Sequence, residues 1–142
     1  MPSLVSCSST FWAPAMLTAA RWRLAALLHD AAEHVLGDLI TPFKAQIGPH
    51  YKALEHRLLR AIHLRFALPA ELPQHVTDLV KRADKIAAFF EATLLAGFEE
   101  EEALRFFGRP RGFELQRLVA LPPAEAKQRF LARFAALSEA AA

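Results

Sequence analysis

Residues 24–36 read LAALLHDAAEHVL, and residues 37–42 continue GDLITP. Nine of the thirteen residues are apolar, and the polar four are His29, Asp30, Glu33 and His34. Apolar side chains at 24, 25, 27, 28, 31, 32, 35 and 36 run round nearly the whole circumference of a helix. That pattern predicts a helix buried on most sides, beginning near residues 19–22 and ending at Leu36. Gly37 suits its C-cap, because glycine tolerates the left-handed conformation found there.

A buried helix does not normally carry two carboxylates. An unpaired buried charge costs several kcal/mol, or its pKa shifts until the group is neutral. His29 and Glu33 are four residues apart and Asp30 and Glu33 three, so these side chains share a face. An imidazole beside a carboxylate, with a second carboxylate one turn on, is a set that a divalent cation and its water would use. The competing reading is a solvent-facing polar patch, for which the apolar residues leave little room.

Three strings extend the motif: HDAAEHVLGDLITPFK at 29–44, YKALEHRLL at 51–59 and VKRADKIAAFFEA at 80–92. Together they resemble the HD-domain metal-dependent phosphohydrolases, in particular the bacterial 5'-deoxynucleotidase branch. The resemblance covers roughly residues 24 to 96. It implies an all-α, HD-domain-like bundle of about five to six helices. It implies His29, Asp30 and Asp84 as ligands of a divalent metal ion, with Mn, Co, Fe, Ni and Zn all compatible with His/Asp ligation. It implies Glu33 as the catalytic residue, orienting or deprotonating the attacking water or protonating the leaving oxygen. Asp38 corresponds to an acidic position near the substrate's sugar. The reaction implied is hydrolysis of the 5'-phosphate of a (deoxy)nucleoside monophosphate by a metal-activated water.

Asp84 has a reading of its own. Residues 74–96 form an expected helix with Val76, Val80, Ala83, Ala87, Phe90 and Leu94 as its inward stripe. At 100° per residue, Asp84 lies about 40° from Val80 and about 60° from Ala87, within the stripe. A lone aspartate there needs a partner; the alternative is a surface ion pair with Lys81 or Lys85.

The resemblance has a gap. Such enzymes usually take another metal-binding His from a helix upstream of the HD pair, and no histidine precedes His29. The upstream part of the family domain is expected to be missing or replaced. Residues 1–19, rich in serine and proline and free of charge, are expected to form an irregular arm, with residues 20–142 as the helical domain. A partner subunit, or one of His34, His50, His56, His63 and His75, is left to supply the ligand, and spacing nominates none. A second function class follows: a degenerate, non-catalytic HD module that binds a nucleotide or a partner protein.

Composition narrows the classes. The chain has 142 residues, 54% hydrophobic and 23% charged, which suits one globular domain. Only five glycines, against many alanines and leucines, favour helices. A net charge of +2 with scattered basic residues gives no stripe for a nucleic-acid polymer. No apolar run reaches the ~18 residues a membrane span needs. The single cysteine, Cys7, excludes an internal disulfide and fits the cytoplasm. The expected partner is a small phosphorylated substrate. A second copy of the chain is also expected, since an uncovered apolar helix favours self-association.

The remaining helices follow from spacing. Leu54, Leu58, Leu59, Ile62 and Phe66 predict a helix over about 50–66. His56 and His63 share a face of it and read as half-exposed helix histidines rather than a metal pair. Glu99 to Glu102 read as the acidic start of a helix running toward Phe107. Phe130, Leu131, Phe134 and Leu137 line one side of a last helix over about 122–138, expected to cap the bundle or pair with a second subunit.

Overall fold

The computed structural model of the chain describes residues 19–37, 39, 46–111 and 120–141. These form six helices and no strand: α1 Ala20–Leu27, α2 Ala31–Leu36, α3 Pro49–Arg65, α4 Gln74–Leu94, α5 Glu100–Phe107 and α6 Pro123–Ala141. The all-α, HD-domain-like bundle expected from the sequence is the architecture observed.

At eight residues α1 is too short to hold helical form alone, so packing must hold it. Leu24, Ala25, Ala26, Leu27 and Leu28 are all buried, none more than 6% exposed. On one side Ala26 meets Val76, Val80 and Ala83 of α4, with Trp22, Leu72 and Leu79 at the margin. On the other, Leu24, Ala25, Leu27 and Leu28 meet Leu68 and Leu137, flanked by Ile62, Phe66, Phe130 and Phe134. Phe66 and Phe134 meet edge to face with ring centroids 5.1 Å apart. Thus α6 caps the bundle by packing directly on α1.

The second half of the expected helix behaves differently. The chain turns at residues 28–30, and α2 restarts at Ala31. In α2 only Ala32 is buried, and Val35 stands 67% exposed. The expectation of one buried helix to Leu36 is therefore corrected to two short helices, of which the first is the buried one. Gly37 does end α2, with φ +88° and its N–H on the Glu33 carbonyl at 2.8 Å.

The expected spans of α3 and α4 hold to within two residues at each end. Most of the α4 stripe is buried, and its C-terminal half packs Ile86, Phe89, Phe90 and Ala92 on Ala103 of α5. Leu94, placed in that stripe, is exposed at the helix end. The α3 stripe is shallower than expected, with Leu54 exposed and Leu58, Leu59, Ile62 and Phe66 half-buried. The buried residues of α3 are Tyr51 and His63. The two α3 histidines are not alike: His56 is exposed and His63 is buried. Among the described residues no helix is long and apolar enough to cross a membrane.

Candidate metal centre

The break between α1 and α2 builds the site. Leu28 and Asp30 take φ/ψ of −99°/7° and −102°/11°, the bridge region where turn and active-site residues often sit. Backbone bonds tighten to three-residue spacing, Ala31 N–H to Leu28 O at 3.0 Å and Glu33 N–H to Asp30 O at 2.9 Å. The His29 ring supplies a reason. Its Nδ1–H donates to the Ala26 carbonyl at 2.8 Å. An uninterrupted helix would offer that same carbonyl to the Asp30 N–H.

With Nδ1 used in this way, Nε2 is the atom that faces the site. It lies 3.0 Å from Asp30 Oδ2 and 3.5 Å from Asp84 Oδ1. Nε2 is buried, yet neither oxygen is placed for a directed hydrogen bond to it. The three side chains each offer one atom within 4.8 Å of the others. The structure therefore brings together His29, Asp30 and Asp84, from the turn and from the middle of α4. Asp84 is less buried than the stripe predicts. It stands half-exposed at the rim of α4 and reaches His29 across it. Its partner is His29, whereas the alternative offered Lys81 or Lys85.

Burial alone would lower the pKa of His29. The Asp30 and Asp84 carboxylates and the Ala26 carbonyl outweigh it and hold the ring at about 10. A proton on Nε2 is thus the cation between two carboxylates when no other is there.

The residues fit a divalent cation by two observations. The donor set of one imidazole and two carboxylates is the borderline-hard set that such ions take. The Nδ1-to-carbonyl bond also fixes the tautomer that leaves Nε2 as a ligand once its proton is displaced. Among the described residues no fourth His, Cys, Asp or Glu joins the cluster. None of the other five histidines of the chain supplies the missing ligand in this arrangement.

Beside the cluster lies an open cavity of about 350 Å³, lined by His29, Asp30, Ala32, Glu33, Lys52, Glu55, His56 and Leu59. Glu33 enters it from α2, one turn beyond Asp30. Asp38, the expected sugar-side residue, lies outside the described residues. Another wall comes from α3, where Lys52 and Glu55 had no role in the sequence reading, Leu59 was placed in the apolar stripe and His56 was one of the histidines left to supply a ligand. Their spacing of three, four and seven was the available signal, since it sets all four on one helix face.

Comparison with known proteins bears on the whole chain. The family model of 5'-deoxynucleotidases of the YfbR-like kind matches residues 9–136, further toward both termini than the motifs at 24 to 96. An uncharacterized protein of Rhodobacter capsulatus is 52% identical over 115 residues, covering 80% of this chain and 59% of that protein. A 5'-deoxynucleotidase of Erwinia tasmaniensis is 36% identical over 85 residues, covering 50% of this chain and 43% of that enzyme. The chain thus spans about half the length of the curated relatives it matches.

Proposed function

The chain belongs to the YfbR-like 5'-deoxynucleotidase family of the HD superfamily, and on that premise we propose that it is a metal-dependent phosphohydrolase acting on (deoxy)nucleoside 5'-monophosphates. The observation that carries this reading is the buried His29 Nε2, lacking a directed hydrogen bond, with one oxygen each of Asp30 and Asp84 within 3.5 Å. His29, Asp30 and Asp84 hold the divalent cation, whether Mn, Co, Fe, Ni or Zn. When bound, such a cation supplies positive charge to the phosphoryl oxygens and makes water more acidic.

The protein groups do the rest. The turn at 28–30 holds the His29 ring by its Nδ1–H bond, so the imidazole needs no reorganisation. Glu33 reaches the cavity beside Asp30 and moves the proton, either from the attacking water or to the leaving 5'-oxygen. Asp38 serves as the sugar-side acceptor. The family supports a small phosphorylated substrate, and a cavity of about 350 Å³ is within the range of ligand pockets. The cytoplasm and a homodimer complete the proposal. The exposed Val35, Ile47 and Leu54 near the α2–α3 end offer apolar surface for self-association.

A second reading is supported by the same cluster, which has three protein ligands among the described residues where the HD pattern has four. On that reading the chain is a non-catalytic HD module that binds a nucleotide. One experiment separates them. Phosphate release from a panel of 5'-deoxynucleotides is measured for the metal-loaded wild type and for Glu33→Ala. The hydrolase reading expects many turnovers by the wild type. It expects a loss of about 100-fold or more in the variant, with metal retained. Nucleotide-dependent thermal stabilisation without any phosphate release would instead establish the binding module.

A further inference from the structure

Glu33 sits on α2, and little in α2 itself holds that helix in place. It has six residues, well short of the ~12–15 at which an isolated helix is even marginal. Its one buried side chain is Ala32, and its main packing is against α3. One buried methyl group is a weak restraint, so the polar contacts at the two ends of α2 carry more of the load. At the N-terminal end, the turn at 28–30 is held by the His29 Nδ1–H on the Ala26 carbonyl at 2.8 Å.

The C-terminal end is held from α3. Tyr51, in the first turn of α3, is buried, and its hydroxyl donates to the Gly37 carbonyl at 3.3 Å. The Gly37 N–H donates in turn to the Glu33 carbonyl at 2.8 Å. Hydrogen bonds thus run from the Tyr51 ring through Gly37 to the backbone of Glu33. Gly37, at φ +88°, is where the chain leaves the helix, so no further turn of α2 stands behind this contact. Packing alone would be served by phenylalanine at 51. The hydroxyl adds a bond, and a buried tyrosine hydroxyl is normally found where it has a partner.

We infer that Tyr51 is a positioning residue, whose hydroxyl, acting through Gly37, anchors the end of α2 and so keeps Glu33 at the cavity beside Asp30. This deepens the proposed hydrolase function and rests on its assignment of the proton transfer to Glu33. A general acid or base works only within hydrogen-bond reach of its proton, and a misplacement of ~1 Å can cost about 100-fold in rate.

The test compares the metal-loaded full chain as wild type, Tyr51→Phe, Glu33→Ala and the double variant. Tyr51→Phe removes the hydroxyl and keeps the buried ring. Amide hydrogen exchange reads the anchor without substrate. The Gly37 amide is expected to exchange about fivefold faster in Tyr51→Phe, with α4 unchanged. Turnover of 5'-deoxynucleotides reads the consequence. Tyr51→Phe is expected to lower kcat about tenfold at nearly constant KM and metal content. Because Tyr51 acts through Glu33, the double variant is expected to be no slower than Glu33→Ala. A loss of folded protein alone would lower the rate equally on both backgrounds. Unchanged exchange at Gly37, unchanged kcat in an active enzyme, or a double variant slowed by the product of the two single losses overturns the inference. A wild type without turnover sinks the hydrolase reading instead. In that event faster Gly37 exchange in Tyr51→Phe still upholds the anchoring of α2, and unchanged exchange removes it.

Discussion

The turn between α1 and α2 and the C-terminal end of α3 each carry a histidine whose Nε2 is buried, and the two are held alike. His29 gives its Nδ1–H to Ala26 O at 2.8 Å, and His63 gives its Nδ1–H to Ala70 O at 3.3 Å. Each leaves a buried Nε2 without a hydrogen bond. The rings nevertheless titrate in opposite directions. His29 is held at about 10, because two carboxylates outweigh burial. His63 is pushed below its ordinary 6.5, because burial dominates and the Glu71 carboxylate only partly offsets it. A buried imidazole is therefore not a site in itself. What converges on the second nitrogen separates a ligand from a core residue.

The largest expected effect sets the packing of the two regions apart. Leu28, beside His29, is buried, and Leu28→Ala is expected to cost about 2–5 kcal/mol in urea unfolding. The next sharpens the comparison at the second nitrogen. By calorimetric metal titration, Asp84→Asn is expected to weaken divalent-metal binding by at least about 100-fold, since it removes one of the three proposed ligands. Glu71→Gln, on the His63 side, is expected to leave metal affinity unchanged. Equal losses in the two variants would break the comparison.

The third prediction is a pair of opposite pH slopes in the metal-free chain. The folded pKa of His29 lies above its unfolded value. Its contribution is fully present below about 6.5 and is lost as pH rises through about 10. The folded pKa of His63 lies below its unfolded value, so its contribution is present above 6.5 and is lost as pH falls. Urea unfolding across pH should show His63→Gln flattening the acid side and His29→Gln flattening the alkaline side. The smallest effect is at Leu64, beside His63 but 63% exposed. Leu64→Ala is expected to change stability by no more than about 0.5 kcal/mol.

Much of the fold was legible in the sequence because its long helices announce themselves by period. The spans of α3 and α4 follow from apolar residues every three or four positions, bounded by Gly48–Pro49 and Pro73. The central place of residues 24–28 follows from apolar side chains on all sides. The break at 28–30 was not legible, because it depends on a side chain, His29, taking a backbone carbonyl from its own helix. Nor was the exposure of Val35. Apolar pattern shows which residues can be buried, while the chain that covers them decides whether they are. Leu24 has α6 and the end of α3 against it, and Val35 is left on the surface.

The candidate site divides the same way. His29 and Asp30 were marked by polar residues inside an apolar run, and Asp84 by a carboxylate within a helical stripe. The meeting of α4 with the turn is a tertiary event that spacing in either helix cannot show. The α3 wall was not singled out by spacing because Lys52, Glu55 and His56 look like any solvated helix face until α2 is placed beside them.

The most direct test of the central claim is elemental analysis of the dialysed wild type beside His29→Ala, read as metal per chain. The cluster of His29, Asp30 and Asp84 predicts about one divalent transition metal per wild-type chain and little or none in the variant. A wild type that stays metal-free after exposure to Mn or Co, or a variant that keeps its metal, would contradict it.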